Sequence, residues 1–275
     1  MSMIAALSPL LLAAAAPGAA PCNPIPGWDQ VLAGDDPRVI VLGEVHGSNE
    51  VPALFADAVC LTAQTRPVVV AIEQRSDDQA AVDSFIASDG GEAARLAFLR
   101  AQMWNGPMKD GRSSEAYFRL FETLRQMRAE GMIQAVVAFQ PVSFTQRPTP
   151  EEYEKAMAEI VLSGAKDGAT VVALVGNVHA MLTAVPRDPP YMPMAGHLPP
   201  DQVVTLNLVP VGDGETWVCQ GQPIECGAKP TGGAPTGHPR GVELGSIGEG
   251  AYSGVLYLGV PTTASPPQPV PAAGG

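Results

Sequence analysis

Basic residues are scarce in this chain: 16 Lys and Arg face 28 Asp and Glu, for a formal net charge of -12. A phosphate backbone or an anionic membrane surface would repel such a chain at long range, so nucleic acid is not an expected partner. Also missing are the Gly-x-Ser-x-Gly elbow of serine hydrolases, the Walker loop and the Rossmann glycine fingerprint, which removes the common serine-hydrolase and nucleotide-binding routes. No Cys-x-x-Cys or other zinc spacing occurs. What stays open is acid/base or metal chemistry.

A length of 275 residues suits one sizeable core and hence one domain. The apolar, alanine-rich run at residues 4–16 is too short for a membrane span, which needs about 20 apolar residues. Small residues and then Pro21-Cys22 follow it. This reads as a secretory signal over residues 1–20, although the usual basic residues before it are absent, and a frayed cytoplasmic N-terminus is the alternative. Four cysteines, an even number, suit an oxidising compartment. Cys219 and Cys226 bracket a turn-rich segment that a disulfide could close, leaving Cys22 and Cys60 as the second pair; alternatively Cys60 is an inert thiol on a packed helix.

Four continuous apolar runs rich in β-branched residues, at 39–42, 68–72, 135–139 and 171–175, have the character of strands buried on both faces of a parallel sheet. Amphipathic helical patterns lie between them. After Ser48 as a cap come Val51, Leu54, Phe55, Ala58 and Val59; after Ser114 come Tyr117, Leu120, Phe121 and Leu124. Thr149-Pro150-Glu151-Glu152 is a capping box with proline at the first helical position, and Tyr153, Met157, Ile160 and Val161 follow as a buried face. The expected class is therefore α/β, a mainly parallel sheet with helices on both faces. Residues 77–128 are too many for one crossover helix and imply a helical insertion, broken at Trp104-Asn105-Gly106-Pro107. Short β-like pieces at 203–209, 215–219 and 253–258 could extend the sheet or form an edge hairpin. The domain is expected over 22–260, with a disordered Pro/Ala/Gly tail at 261–275.

Each apolar run ends in a polar residue: Gly43-Glu44, Glu73, Gln140 and Gly176-Asn177. In open α/β sheets ligands bind outside the carboxyl ends of the strands, so Glu44, His46, Glu73, Asn177 and His179 should converge. Two of the four histidines occupy the same place in Gly43-Glu44-Val45-His46 and Gly176-Asn177-Val178-His179, each three residues after a glycine expected to let the backbone bend out of its strand. Imidazole transfers protons near neutral pH and is the commonest metal ligand. The expected catalytic set is His46, Glu44, Glu73 and His179, and the same four could ligate a divalent transition metal. Taken singly, either histidine could be a buried ring capping a turn, and Glu44 or Glu73 a helix cap or a partner of Arg75. For Glu73 that is the weaker reading, because a carboxylate straight after five apolar residues is costly to bury without a dedicated partner. His197 could add a late ligand, His238 reads as surface, and Tyr191, Tyr252 and Tyr257 could ligate ferric iron.

These motifs resemble a known superfamily, that of the ChaN-like haem-binding proteins, the Tiki and TraB metalloprotease-like proteins and the erythromycin esterases. Gly43-Glu-Val-His46 is similar to the first motif, Ile72-Glu73 to the strand-end glutamate and Gly176-Asn-Val-His-Ala180 to the second Gly-x-x-His; residues 73–85 and 117–141 look most like the ChaN branch. The likeness spans about residues 38 to 210 and rests on three motifs in order. It implies an extracytoplasmic, periplasmic protein that binds haem or iron and serves iron uptake or handling, with His46, His179, Asn177 and Tyr191 at the cofactor. The Tiki-like and esterase branches imply instead a hydrolase, metal-dependent or with His46 as base. A small molecule or haem is the expected ligand. Association with the outer membrane or periplasm, or with a second copy as a homodimer, is left open by the resemblance.

Overall fold

The computed structural model describes residues 22–33, 38–107, 109–166 and 168–271; the expected signal segment lies outside them. The four apolar runs form β1 (Val39–Glu44), β2 (Val68–Arg75), β3 (Ala135–Gln140) and β4 (Thr170–Gly176). They pair in parallel, with β1 and β2 flanking β4 and β3 beyond β2. The late pieces take both of the roles open to them. β5 (Val203–Val209) joins β1 in parallel, whereas β6 (Gly214–Gln220) and β7 (Glu225–Thr231) make a separate antiparallel hairpin. β8 (Gly241–Ile247) and β9 (Tyr252–Tyr257) complete a seven-stranded sheet in the order β3-β2-β4-β1-β5-β9-β8, antiparallel only at the β8–β9 edge.

Residues 39–42 and 171–175 are fully buried because side chains alternate between two cores, one on each sheet face. Ile40 and Leu42 join one core with Val51, Leu54, Phe55 and Phe121, while Val39 and Val41 join the other with Met157, Val161 and Val175. The helices α1 (Trp28–Ala33), α2 (Glu50–Ala63), α3 (Gln79–Ile86), α4 (Glu92–Phe98), α5 (Gln102–Asn105), α6 (Glu115–Ala129) and α7 (Pro150–Ser163) complete the layers. The apolar stripes read for α2 and α6 are buried as expected. Ser48 Oγ accepts the Val51 amide at 3.3 Å, and at α7 the Thr149 hydroxyl accepts the Glu152 amide at 3.2 Å while Glu152 accepts the Thr149 amide at 2.8 Å.

The long β2–β3 connection is the expected helical insertion, comprising α3 to α6. Its aromatic core stacks Phe85 on Phe98 at 4.4 Å between centroids, with Trp104 edge-on to Phe98. Disulfides join Cys22 to Cys60 and Cys219 to Cys226, the chemistry of an oxidising compartment outside the cytoplasm. Among the described residues no helix is long and apolar enough to cross a membrane.

The expectation of a disordered tail fails over residues 262–271. Ser265 is fully buried and its hydroxyl accepts the Ala116 amide at α6, Ala264 bridges Ser48, and Pro267 bridges Ser114. Composition misleads there because a proline-rich segment can be held by backbone hydrogen bonds to a finished surface without any periodicity of its own.

Candidate functional site

The two Gly-x-x-His arms meet because β1 and β4 are adjacent and in register: Gly43 lies opposite Val175 and Glu44 opposite Gly176. The glycines act by closeness and not by bending. Neither has a positive φ, but a Cβ on Gly43 would stand 2.7 Å from the Ala180 Cβ and 3.0 Å from the Asn177 Cα. The second arm thus packs directly on the first, tied by the Asn177 amide to the Glu44 carbonyl at 2.8 Å. The sharp turn comes one residue after the first motif, at Gly47, whose φ of +97° few other residues adopt.

His46 lies between two buried carboxylates. Its Nδ1 is 2.9 Å from Glu44 Oε1 and its Nε2 is 3.4 Å from Glu73 Oε2. His179 repeats the arrangement from the other arm, with Nδ1 2.8 Å from Glu154 on α7 and Nε2 4.0 Å from Glu73 Oε1. Glu73, only 3 % exposed, therefore stands between the two imidazoles. It also accepts the Gly176 amide at 2.7 Å and meets the Arg112 guanidinium at 2.6 Å. Arg112 is steadied in turn by Asp110 at 2.8 Å. Tyr117, fully buried on α6, donates its hydroxyl to Glu44 Oε1, leaving Glu44 Oε2 without a partner among the described residues.

The electrostatics follow from this crowding. Burial opposes a charge on His46, but the carboxylates of Glu73 and Glu44 outweigh it and raise the imidazole to about 10. Burial likewise opposes a charge on Glu73, yet His46, Arg112 and His179 hold its carboxyl well below the usual range. His179 is raised against its own burial by the hydrogen bond to Glu154 and the charge of Glu73, and the nearby His46 limits the rise. Burial, reinforced by Glu44, pushes the Tyr117 phenol far up. At neutral pH His46 is thus an imidazolium, with Nδ1 hydrogen-bonded to Glu44 and Nε2 turned toward the Glu73 carboxylate.

Above these groups opens a cleft of about 350 Å³, lined by His46, His179, Asn177 and Gly111 and walled by Trp217 and Val218 of the disulfide-closed hairpin. The hairpin is anchored there by the Trp217 amide on the Gly47 carbonyl at 2.9 Å and the Trp217 indole on the Lys109 carbonyl at 3.0 Å. At the base of the cleft Gly176 leaves a space where a Cβ would lie 3.2 Å from His46 Nε2, 3.4 Å from His179 Cδ2 and 3.5 Å from Glu73 Oε2. A reacting atom in that space would touch all three groups.

The sequence-expected residues Glu44, His46, Glu73, Asn177 and His179 converge. Tyr191 does not line this cleft; it lies in a neighbouring pocket with Tyr153 and Glu154. His197 points to Glu151 at 3.3 Å and to the Met192 carbonyl, and His238 stacks on Tyr257. Tyr252 reaches the site indirectly, donating to the Asn177 carbonyl at 2.9 Å. Arg75 pairs with Asp77 and not with Glu73, so the cation that balances Glu73 is one the sequence reading missed, Arg112. Glu154 was missed as well, although it carried a signal: with Met157, Ala158 and Val161 it occupies the i, i+3, i+4, i+7 stripe that α7 buries. Nothing local marks Arg112.

As a cage for an ion, the donor set fits poorly. Both nitrogens of His46 face carboxylates, Glu73 is committed to Arg112 and the Gly176 amide, and His179 Nδ1 is committed to Glu154. Among the described residues no three His, Cys, Asp or Glu side chains are grouped to hold a metal. Among the described residues no tyrosine lines the cleft to serve as a haem ligand.

No family model matches this chain, and no curated protein matches it. Solved structures do. A succinoglycan biosynthesis protein superposes with a TM-score of 0.61 at 10% identity, covering 84% of this chain and 90% of that one. A protein from Bacillus cereus gives 0.60 at 11% identity over 84% and 90%. A mutant erythromycin esterase in its open conformation gives 0.55 at 11% identity over 72% and 77%. At these identities the likeness shows a shared fold.

Proposed function

We propose that this protein hydrolyses a small-molecule ester with His179 as the base and the His46 imidazolium facing the developing oxyanion, without a resident metal or haem. One observation carries the reading: both imidazoles present Nδ1 to a buried carboxylate, Glu44 or Glu154, and both turn Nε2 toward the same Glu73. Such pairing fixes tautomers and splits the two titrations, which is how one site supplies an acid and a base together. The shared fold with an erythromycin esterase agrees with it.

In this reading His179 is the base, because His46 at about 10 keeps its proton at neutral pH. Water held above Gly176 gives a proton to His179 Nε2 as its oxygen bonds to the ester carbonyl carbon. The negative charge that develops on the carbonyl oxygen faces the His46 imidazolium. Cleavage of the acyl C–O bond then releases the alcohol, which takes the proton back from His179. Glu154 and Glu44 orient the two rings, and Glu73 with Arg112 sets their charge. The iron- or haem-handling reading rests on the motif resemblance and has no donor set in its favour.

The test is hydrolysis of 4-nitrophenyl esters and of erythromycin across pH, by the full chain and by His46→Gln and His179→Gln, with metal and haem content measured on the same preparations. Each variant should lose at least about a hundredfold in rate, the usual scale for a positioned acid or base. Full activity in either variant, or a stoichiometric ion or haem in the wild-type protein, would refute the reading.

A further inference from the structure

Beside the catalytic cleft lies a second pocket of about 400 Å³, between the start of α7 and the loop that carries residues 187–191. Glu154 links the two. Its side chain lines this pocket, while its carboxylate holds His179 at 2.8 Å and the Met194 amide at 2.8 Å. One glutamate thus separates the pocket from the base assigned above.

The pocket has two kinds of wall. Tyr153 and Tyr191 supply aromatic surface, the first backed by Phe144 at 6.1 Å between ring centroids. Tyr191 is nearly buried and its loop is pinned at both ends, by the Val185 amide on the Tyr191 carbonyl at 2.9 Å and the Met192 amide on Glu151 at 2.7 Å. Arg147 and Arg187 line the rim from opposite segments. In a chain with only 16 Lys and Arg against 28 Asp and Glu, five arginines, Arg75, Arg95, Arg112, Arg119 and Arg240, each hold an acidic partner. Arg147 and Arg187 hold none among the described residues. Asp188 is the one acidic group on the same rim, and Glu154 below is committed to His179 and the Met194 amide.

We propose that this pocket binds a small organic anion, a ring carrying a carboxylate or phosphate, with the ring on Tyr153 and Tyr191 and the anion between Arg147 and Arg187. The inference deepens the hydrolase reading and rests on it in one respect, that the anion is part of the substrate. Guanidinium groups suit both acids, since their fork of donors matches the paired oxygens of either. An aromatic wall adds contact area that a bare inorganic ion could not use.

Benzoate and phenyl phosphate are the probes, with benzyl alcohol as the neutral control of similar size. Binding to the full chain is measured by calorimetric titration, and to the Arg147→Ala/Arg187→Ala and His46→Gln variants alongside. The expected result is millimolar or tighter binding of at least one acid, at least about tenfold weaker for the alcohol and about tenfold weaker in the double arginine variant, as partly exposed ion pairs allow. Whichever acid binds better identifies the anion. The His46→Gln variant should bind like wild type, so a failed hydrolase reading would leave this result standing. No binding of either acid at millimolar concentration, equal binding of the alcohol, or undiminished binding by the double arginine variant would overturn the proposal.

Discussion

Replacing Glu73 by glutamine should weaken the hold of His46 on its proton. The carboxylate oxygen lies 3.4 Å from His46 Nε2. At that separation a unit charge pair is worth about 1 kcal/mol in bulk water and about 5 kcal/mol at an effective dielectric constant of about 20. Removing it should therefore lower the imidazole from about 10 by at least about one unit, at about 1.4 kcal/mol per unit. Burial, which opposes the charge, keeps acting in the variant, and Glu44 at 2.9 Å remains as the counter-charge in contact with the ring. Glutamine matches the shape of glutamate and can still accept the Gly176 amide, and Arg112 keeps Asp110. With only four histidines in the chain, the ring Cε1–H resonances can be assigned and followed by NMR from pH 5 to 11. In the wild type the His46 signal should stay flat through neutrality and move only near the top of the range, whereas in Glu73→Gln it should move earlier. A wild-type His46 titrating at its ordinary 6.5, or an unshifted His46 in the variant, would refute the electrostatic account of the site.

The remaining expectations concern stability and space. His46 is raised in the folded state, so its stabilising contribution is complete below pH 6.5 and is lost as pH rises through about 10; Glu73 is depressed, so its contribution is present above pH 4.5 and fades as pH falls. Urea midpoints should therefore be highest between these limits, and a midpoint still rising from pH 7 to 10 would contradict the pairing. Gly176→Ala should fold but lose most hydrolytic activity, since its methyl would enter the space 3.2 Å from His46 Nε2; unchanged turnover would show that this space is not where chemistry happens. Opening the Cys22–Cys60 bridge, 38 residues apart, should cost more than opening Cys219–Cys226, 7 apart. Chain-entropy values are about 4 and about 2.5 kcal/mol, to be read from urea unfolding of the two Cys→Ser pairs.

Much of the frame was decided by local sequence. Continuous β-branched runs can be buried only inside a sheet covered on both faces, so four strands and their parallel pairing were legible without coordinates. Strand ends in such sheets face one edge, which is why Glu44, His46, Glu73, Asn177 and His179 could be placed together before any distance was known. The capping box at Thr149 was equally local, a hydrogen-bond pair within four residues.

The charge state of the site was decided only by tertiary structure. Arg112 reaches Glu73 across 39 residues of insertion, Tyr117 reaches Glu44 across 73, and Glu154 reaches His179 across 25. None of these separations has a period, so no pattern reading could find them. The same holds for the tail at 262–271 and for the hairpin bearing Trp217, which are held by backbone hydrogen bonds to surfaces that exist only once the sheet has formed. Sequence alone determined that two histidines and a strand-end glutamate would meet. Folding determined which carboxylate stands behind each ring, and thereby how firmly His46 keeps its proton.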